Sequence, residues 1–213
     1  MANWESYRIS DIISEIDDRK FVLPVIQRRL VWDEEKMELL FDTLLKGDSF
    51  GGIMVIKEER GYKPLFNFRP FTKDGEPIKS IEVDELKQNQ SFVIDGQQRL
   101  QSFYIGLKGS INGKILYFDL FSNYNSEFEF KFEGESSKLS KQARSESSKQ
   151  IKEYKWYPVS DLLQKLKLTN NDRQVAKNII ATEKLTDEEQ KQHVEENIAA
   201  FYRNIIRDRK SVV

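Results

Sequence analysis

Five consecutive residues, Asp95-Gly96-Gln97-Gln98-Arg99, place a carboxylate, two amides and a guanidinium directly behind the apolar run Phe92-Val-Ile94. Such a run suits a buried strand. Asp-Gly then breaks it, because the pair favours a turn and glycine tolerates positive φ. Leu100, Phe103, Tyr104 and Leu107 follow at i, i+3, i+4 and i+7, the apolar stripe of a helix. The chain is therefore expected to leave a strand, turn sharply, and enter a helix whose first turn holds Gln97, Gln98 and Arg99. Unpaired N–H groups and the positive end of the helix dipole gather at such a start. With an arginine fork and two amides added, the place becomes an anion cradle suited to phosphate. The competing reading is a turn capped by Asp95 with Arg99 solvated.

A second polar island lies upstream, in Pro24-Val-Ile-Gln-Arg-Arg-Leu-Val-Trp32. Gln27, Arg28 and Arg29 stand there among apolar neighbours. A guanidinium in such company needs an acidic partner or an anionic ligand, since burying it alone is costly. Trp32 is expected mainly as core packing, with a base-stacking platform as the less favoured alternative. Between the islands, Gly51-Gly-Ile-Met-Val-Ile56 reads as a tight turn entering a buried strand. No lysine or hydroxyl follows the glycines at P-loop spacing.

Composition removes several classes of chemistry. The chain has 213 residues, a formal net charge of −1, no cysteine and one histidine. Disulfides, thiolate metal sites and a histidine-rich zinc centre are therefore outside its reach. A near-neutral chain does not attract nucleic acid as a whole, so any such contact must be local. His193 lies in a polar helical run and reads as a solvated surface residue. No stretch has the length and apolarity of a membrane span, and Met1-Ala-Asn-Trp-Glu lacks the features of a signal peptide. The expected compartment is the cytoplasm.

The elements that must hold the islands are legible in outline. Ser10 is expected to cap a short helix, and Phe21-Val-Leu23 forms a strand ended by Pro24. Asp33 to Lys46 is the clearest helix, capped by Asp33 and ended by Gly47. Residues 57–80 read as an extended or hairpin excursion. Ile115 to Leu120 and the strictly alternating Glu127 to Glu133 read as strands. Residues 134–154, rich in Ser and Lys up to 150, read as an exposed loop. That divides the chain into a core over 1–133 and a helical extension over 155–213, in which Thr186 to Glu189 fits a capping box.

The two islands, in this order and with Gly51-Gly-Ile-Met-Val between them, resemble the N-terminal domain of GmrSD-type modification-dependent restriction systems. Asp-Gly-Gln-Gln-Arg is the hallmark of that family, and the Pro-x-x-Gln-Arg-x-x-x-Trp spacing supports the match. The resemblance is strong over about residues 8–120 and loose in the helical tail. It implies an α/β (α+β) fold, a mixed sheet similar to that of ParB and sulfiredoxin, with flanking helices and a helical C-terminal extension. It also implies binding and hydrolysis of a nucleoside triphosphate, with Mg²⁺, in bacterial defence against phage or modified DNA. The positions that match are Gln27, Arg28, Gly96 and Arg99 for nucleotide binding, and Asp95, Gln97, Gln98 and Arg99 for catalysis. Asp95 is the implied metal ligand. DNA, a nuclease domain or subunit, and further copies of the chain are the implied partners. Family members commonly carry a histidine-metal nuclease domain that this chain does not supply, so a fragment, a separate subunit or a stand-alone member is expected. Two alternatives share the same residues: a nucleotide-gated DNA-binding module without turnover, and a ParB-like phosphodiesterase.

Overall fold

The structure is a computed structural model, and it describes residues 5–26, 30–57, 66–74, 76, 90–122, 127–144 and 151–212. Gln27, Arg28 and Arg29 lie outside the described residues, as does most of the excursion expected over 57–80.

Strand β1 (Glu5–Arg8) runs directly into helix α1 (Ile9–Asp17). Ile9, Ile12, Ile13 and Ile16 share one buried face of α1, which fixes its seat on the core. The helix begins one residue before Ser10, with Arg8 in an extended conformation and no side-chain cap, so the expected Ser10 cap is not made. Strand β2 (Phe21–Pro24) is buried throughout. Helix α2 (Glu34–Lys46) is capped as expected: Asp33 accepts from Lys36 N at 3.0 Å, and Gly47 closes the helix at φ 80°.

Strand β3 (Met54–Ile56) is an edge strand and not the buried one expected from its composition. Met54 is 46% and Ile56 39% exposed, while Ile53 just before them takes the buried position. After β4 (Phe68–Arg69) come β5 (Ser91–Asp95) and helix α3 (Gln97–Lys108). The four strands form a mixed sheet in the order β3-β5-β2-β4, with β2 and β5 parallel and both outer pairs antiparallel. Because β2 and β5 are parallel neighbours, the segment after Pro24 and the turn after Asp95 emerge at the same end of the sheet.

Helix α3 is the centre of the body. Every residue from 100 to 107 is buried, including Gln101, Ser102 and Gly106 on what the sequence presents as the wet face. Each exception has a local reason. Gln101 donates to Thr72 O at 2.5 Å, and Ser102 Oγ donates to Gln98 O at 2.7 Å. A Cβ on Gly106 would sit 2.5 Å from the Phe41 ring, so only glycine lets α2 approach this closely.

The second sheet, β10-β6-β7, is antiparallel and built from β6 (Ile115–Asp119), β7 (Phe130–Glu133) and β10 (Trp156–Pro158). Residues 134–154, expected as a loop, carry a 3-10 turn (Ser136–Lys138) and an antiparallel ribbon of β8 (Gln142–Arg144) and β9 (Ile151–Glu153). Helices α4 (Val159–Thr169), α5 (Asp172–Thr182) and α6 (Glu188–Phe201) follow, and α6 passes through a π-helical turn (Tyr202–Arg207) into β11 (Arg209–Val212), which pairs with β1. The cap of α6 is Asp187, one residue beyond the expected Thr186. These helices share the core of the N-terminal part: Phe201 stacks on Phe118 at 6.3 Å, and Asn204 Nδ2 donates to Leu45 O at 3.0 Å. The whole is a mixed α+β fold.

Candidate functional site

The expected strand–turn–helix is present. β5 ends at Asp95, Gly96 turns the chain at φ 79°, and α3 begins at Gln97. Gly96 is constrained twice. Its φ lies in the left-handed region, and a Cβ there would stand 2.5 Å from Ile53 Cδ1. Asp95 does not cap the helix, and Arg99 is not solvated, so the competing reading of this turn does not hold.

Arg99 is built into the turn. Its side chain is 18% exposed; Nη1 donates to Phe50 O at 2.6 Å, and Nη2 to Asp95 Oδ2 at 3.3 Å. The Gly51-Gly52 pair gains its meaning here. Gly51 has φ 84°, and the Arg99 guanidinium lies where a Cβ of Gly51 would be. Gly51 thus makes room for an arginine that ties the β3 entry loop to the motif. Asp95, by contrast, is 70% exposed and presents most of its carboxylate to solvent.

The two islands meet as far as the described residues reach. Val31 N donates to the side chain of Gln98 at 2.9 Å across 67 positions of sequence. Gln98 is therefore a buried bracket between the islands. Beside that bracket an open cavity of about 440 Å³ is lined by Trp32, Ile94 and residues 95–99. Trp32 packs against the core as expected, but it is only half-buried and also lines this cavity. Of the expected site residues, Asp95, Gly96, Gln97, Gln98 and Arg99 are brought together; Gln27 and Arg28 are outside the described residues.

Two other polar features are poor seats for an anion. A larger cavity of about 490 Å³ lies against α2 and β7, but Glu35, Glu38, Asp42, Glu127, Glu129 and Glu133 line it and would repel phosphate. Burial also pushes the Glu38 carboxyl upward, even though it accepts from Phe132 N. Asp119, fully buried at the end of β6, accepts from Lys155 N at 2.6 Å and Phe121 N at 3.1 Å. Burial raises its pKa to about 6, and its Oδ2 has no partner among the described residues. It latches β6 to the β9–β10 connection and is remote in sequence from the motif. His193 is half-buried on α6, and among the described residues no three metal-ligating side chains cluster.

Sequence reasoning missed Phe50 and Val31, since both act through backbone atoms. It read Gly51 as part of a tight entry turn, which a φ of 84° fits, and missed its contact with Arg99, 48 positions downstream.

No helix among the described residues is long and apolar enough to cross a membrane. No curated protein matches the chain. The sequence model of one family, described as "GmrSD restriction endonuclease, N-terminal domain", matches residues 9–211 and so runs through the helical tail as well as the motif-bearing body. With nearly its whole length matched, and with the Asp-Gly-Gln-Gln-Arg turn set against the upstream island, this chain belongs to the GmrSD restriction endonuclease N-terminal domain family.

Proposed function

We propose that this restriction-system domain binds a nucleoside triphosphate at the turn between β5 and α3 and hydrolyses its terminal phosphate. The observation that carries the reading is the Val31–Gln98 bracket, which joins the two islands beside a cavity whose polar wall is residues 95–99. The first amides of α3 and the positive end of its dipole favour phosphate oxygens. Arg99 supplies positive charge to that wall while it holds the turn. Arg28, from the upstream island, is the second cation of the proposal.

Asp95 would repel a bare polyphosphate, so its place in an anion site calls for a cation between the two. One exposed carboxylate, with no cluster of three ligands among the described residues, fits Mg²⁺ held jointly with ligand phosphates. When bound there, Mg²⁺ would neutralise charge on the phosphates. Asp95 holds the metal or orients an attacking water. Gln97 and Gln98, both in the wall of the cavity, are the amides that would place that water. Electrostatic positioning of this kind is most of what phosphoryl transfer asks of a protein. The partners that go with this reading are DNA and a nuclease domain or subunit.

Phosphate release from each of the four NTPs, with and without Mg²⁺, tests the proposal. A saturating ligand, at about 100 times its Kd, should add about 2.7 kcal/mol to stability. Asp95→Asn should keep binding and lose turnover. Binding without phosphate release from the parent protein would favour a nucleotide-gated module instead, and no binding of any NTP would reject the proposal.

A further inference from the structure

The cavity beside the motif has two unlike walls. Residues 95–99 offer a helix start, amides and a guanidinium, whereas Trp32 and Ile94 offer apolar surface. A phosphate alone would use only the first. Trp32 is also fixed in place from both sides. Val31, before it, donates its N–H to Gln98 at 2.9 Å, and Asp33, after it, caps α2 through Lys36 N at 3.0 Å. The main chain on both sides of Trp32 is therefore held between the starts of α2 and α3, and its side chain lies partly on the core and partly on the cavity.

We infer that Trp32 is the aromatic wall against which the base of the bound nucleotide stacks. The inference rests on the nucleotide reading above and deepens it: the ligand is recognised at both ends, phosphates by residues 95–99 and the flat base by Trp32. Stacking is tolerant of base identity, since every base has a π-face. Partial packing on the core also limits the freedom the ring has to lose when the ligand arrives.

The test compares ATP with inorganic tripolyphosphate, each with Mg²⁺, by titration calorimetry on the full chain. The unmodified protein should bind ATP more tightly than tripolyphosphate, by roughly ten- to a hundred-fold, the usual weight of one base–aromatic stack. Trp32→Leu, which keeps apolar volume without the π-face, should erase that difference and leave tripolyphosphate binding unchanged. Trp32→Phe should restore most of it. Melting of each ligand-free variant verifies folding, and the comparison within the unmodified protein stands even if Trp32→Leu fails to fold. Equal affinity for the two probes in the unmodified protein, or equal weakening of both by Trp32→Leu, would overturn the stacking role and leave the phosphate site standing. Failure to bind either probe, with the other three NTPs also unbound, would reject the nucleotide reading itself.

Discussion

Replacing Arg99 by alanine should weaken the fold even without a ligand. The guanidinium bridges two chain segments, donating to Phe50 O at 2.6 Å and to Asp95 at 3.3 Å, and its side chain is only 18% exposed. A hydrogen bond from a charged donor contributes about 1.5–3 kcal/mol, and deleting the donor strands the Phe50 carbonyl. The ion pair with Asp95 adds about 0–1 kcal/mol, because Asp95 is 70% exposed and its charge is screened. The expected cost is therefore about 2–4 kcal/mol. For a chain of this size that is a fall in Tm of roughly 4–16 °C. Arg99→Lys should recover only part of it, since one ammonium lacks the planar fork that spans both acceptors. Thermal melts and urea titrations without nucleotide supply the measurement. An Arg99→Ala protein melting within about a degree of the parent would refute the bracket and return Arg99 to a role in ligand binding alone.

Asp95→Asn should change ligand-free stability by less than about 1 kcal/mol, because the pair it breaks is largely exposed; a larger loss in a urea titration would contradict that. Gly51→Ala should cost more than about 1 kcal/mol from its positive φ alone, and more again because the new methyl collides with Arg99; a neutral result by the same titration would show that the loop rearranges freely. Asp119 gives a pH signature. A folded-state pKa of about 6 against an ordinary 3.8 means that the folded protein holds this proton more tightly. Its contribution to stability therefore grows as pH falls from about 6 to 4 and is lost as pH rises through 6, by up to about 3 kcal/mol. Asp119→Asn should flatten that component and be more stable than the parent at pH 7; identical pH–stability curves would refute it.

How much was legible in the sequence depended on whether a residue's role was local. The β5–turn–α3 unit was readable because its signals lie within a dozen residues: an apolar run, Asp-Gly, then a helical stripe. The α2 caps were readable for the same reason. Long-range roles were not. Arg99 read as a ligand-binding cation because nothing nearby announces Phe50 as its acceptor. The apolarity of Met54-Val-Ile56 pointed to burial, but edge position is a property of strand order, which β2 and β5 settle by pairing with each other. Gln101, Ser102 and Gly106 imitate a wet face in sequence and are buried because helices and strands surround α3. Residues 142–144 and 151–153, rich in polar residues, pair into a ribbon that composition does not announce. Trp32 shows both limits: its type suggested packing, and only the placement of α3 against it brought the cavity into view.

The central claim is that two islands of sequence form one nucleotide site. Hydrogen exchange, with and without ATP and Mg²⁺, addresses it directly, because it reads ligand protection along the whole backbone. Exchange should slow in peptides covering both residues 24–32 and residues 94–100, with the acidic cavity against α2 and β7 unchanged. Protection confined to residues 94–100 would contradict the joining of the islands, and protection of neither would contradict the site.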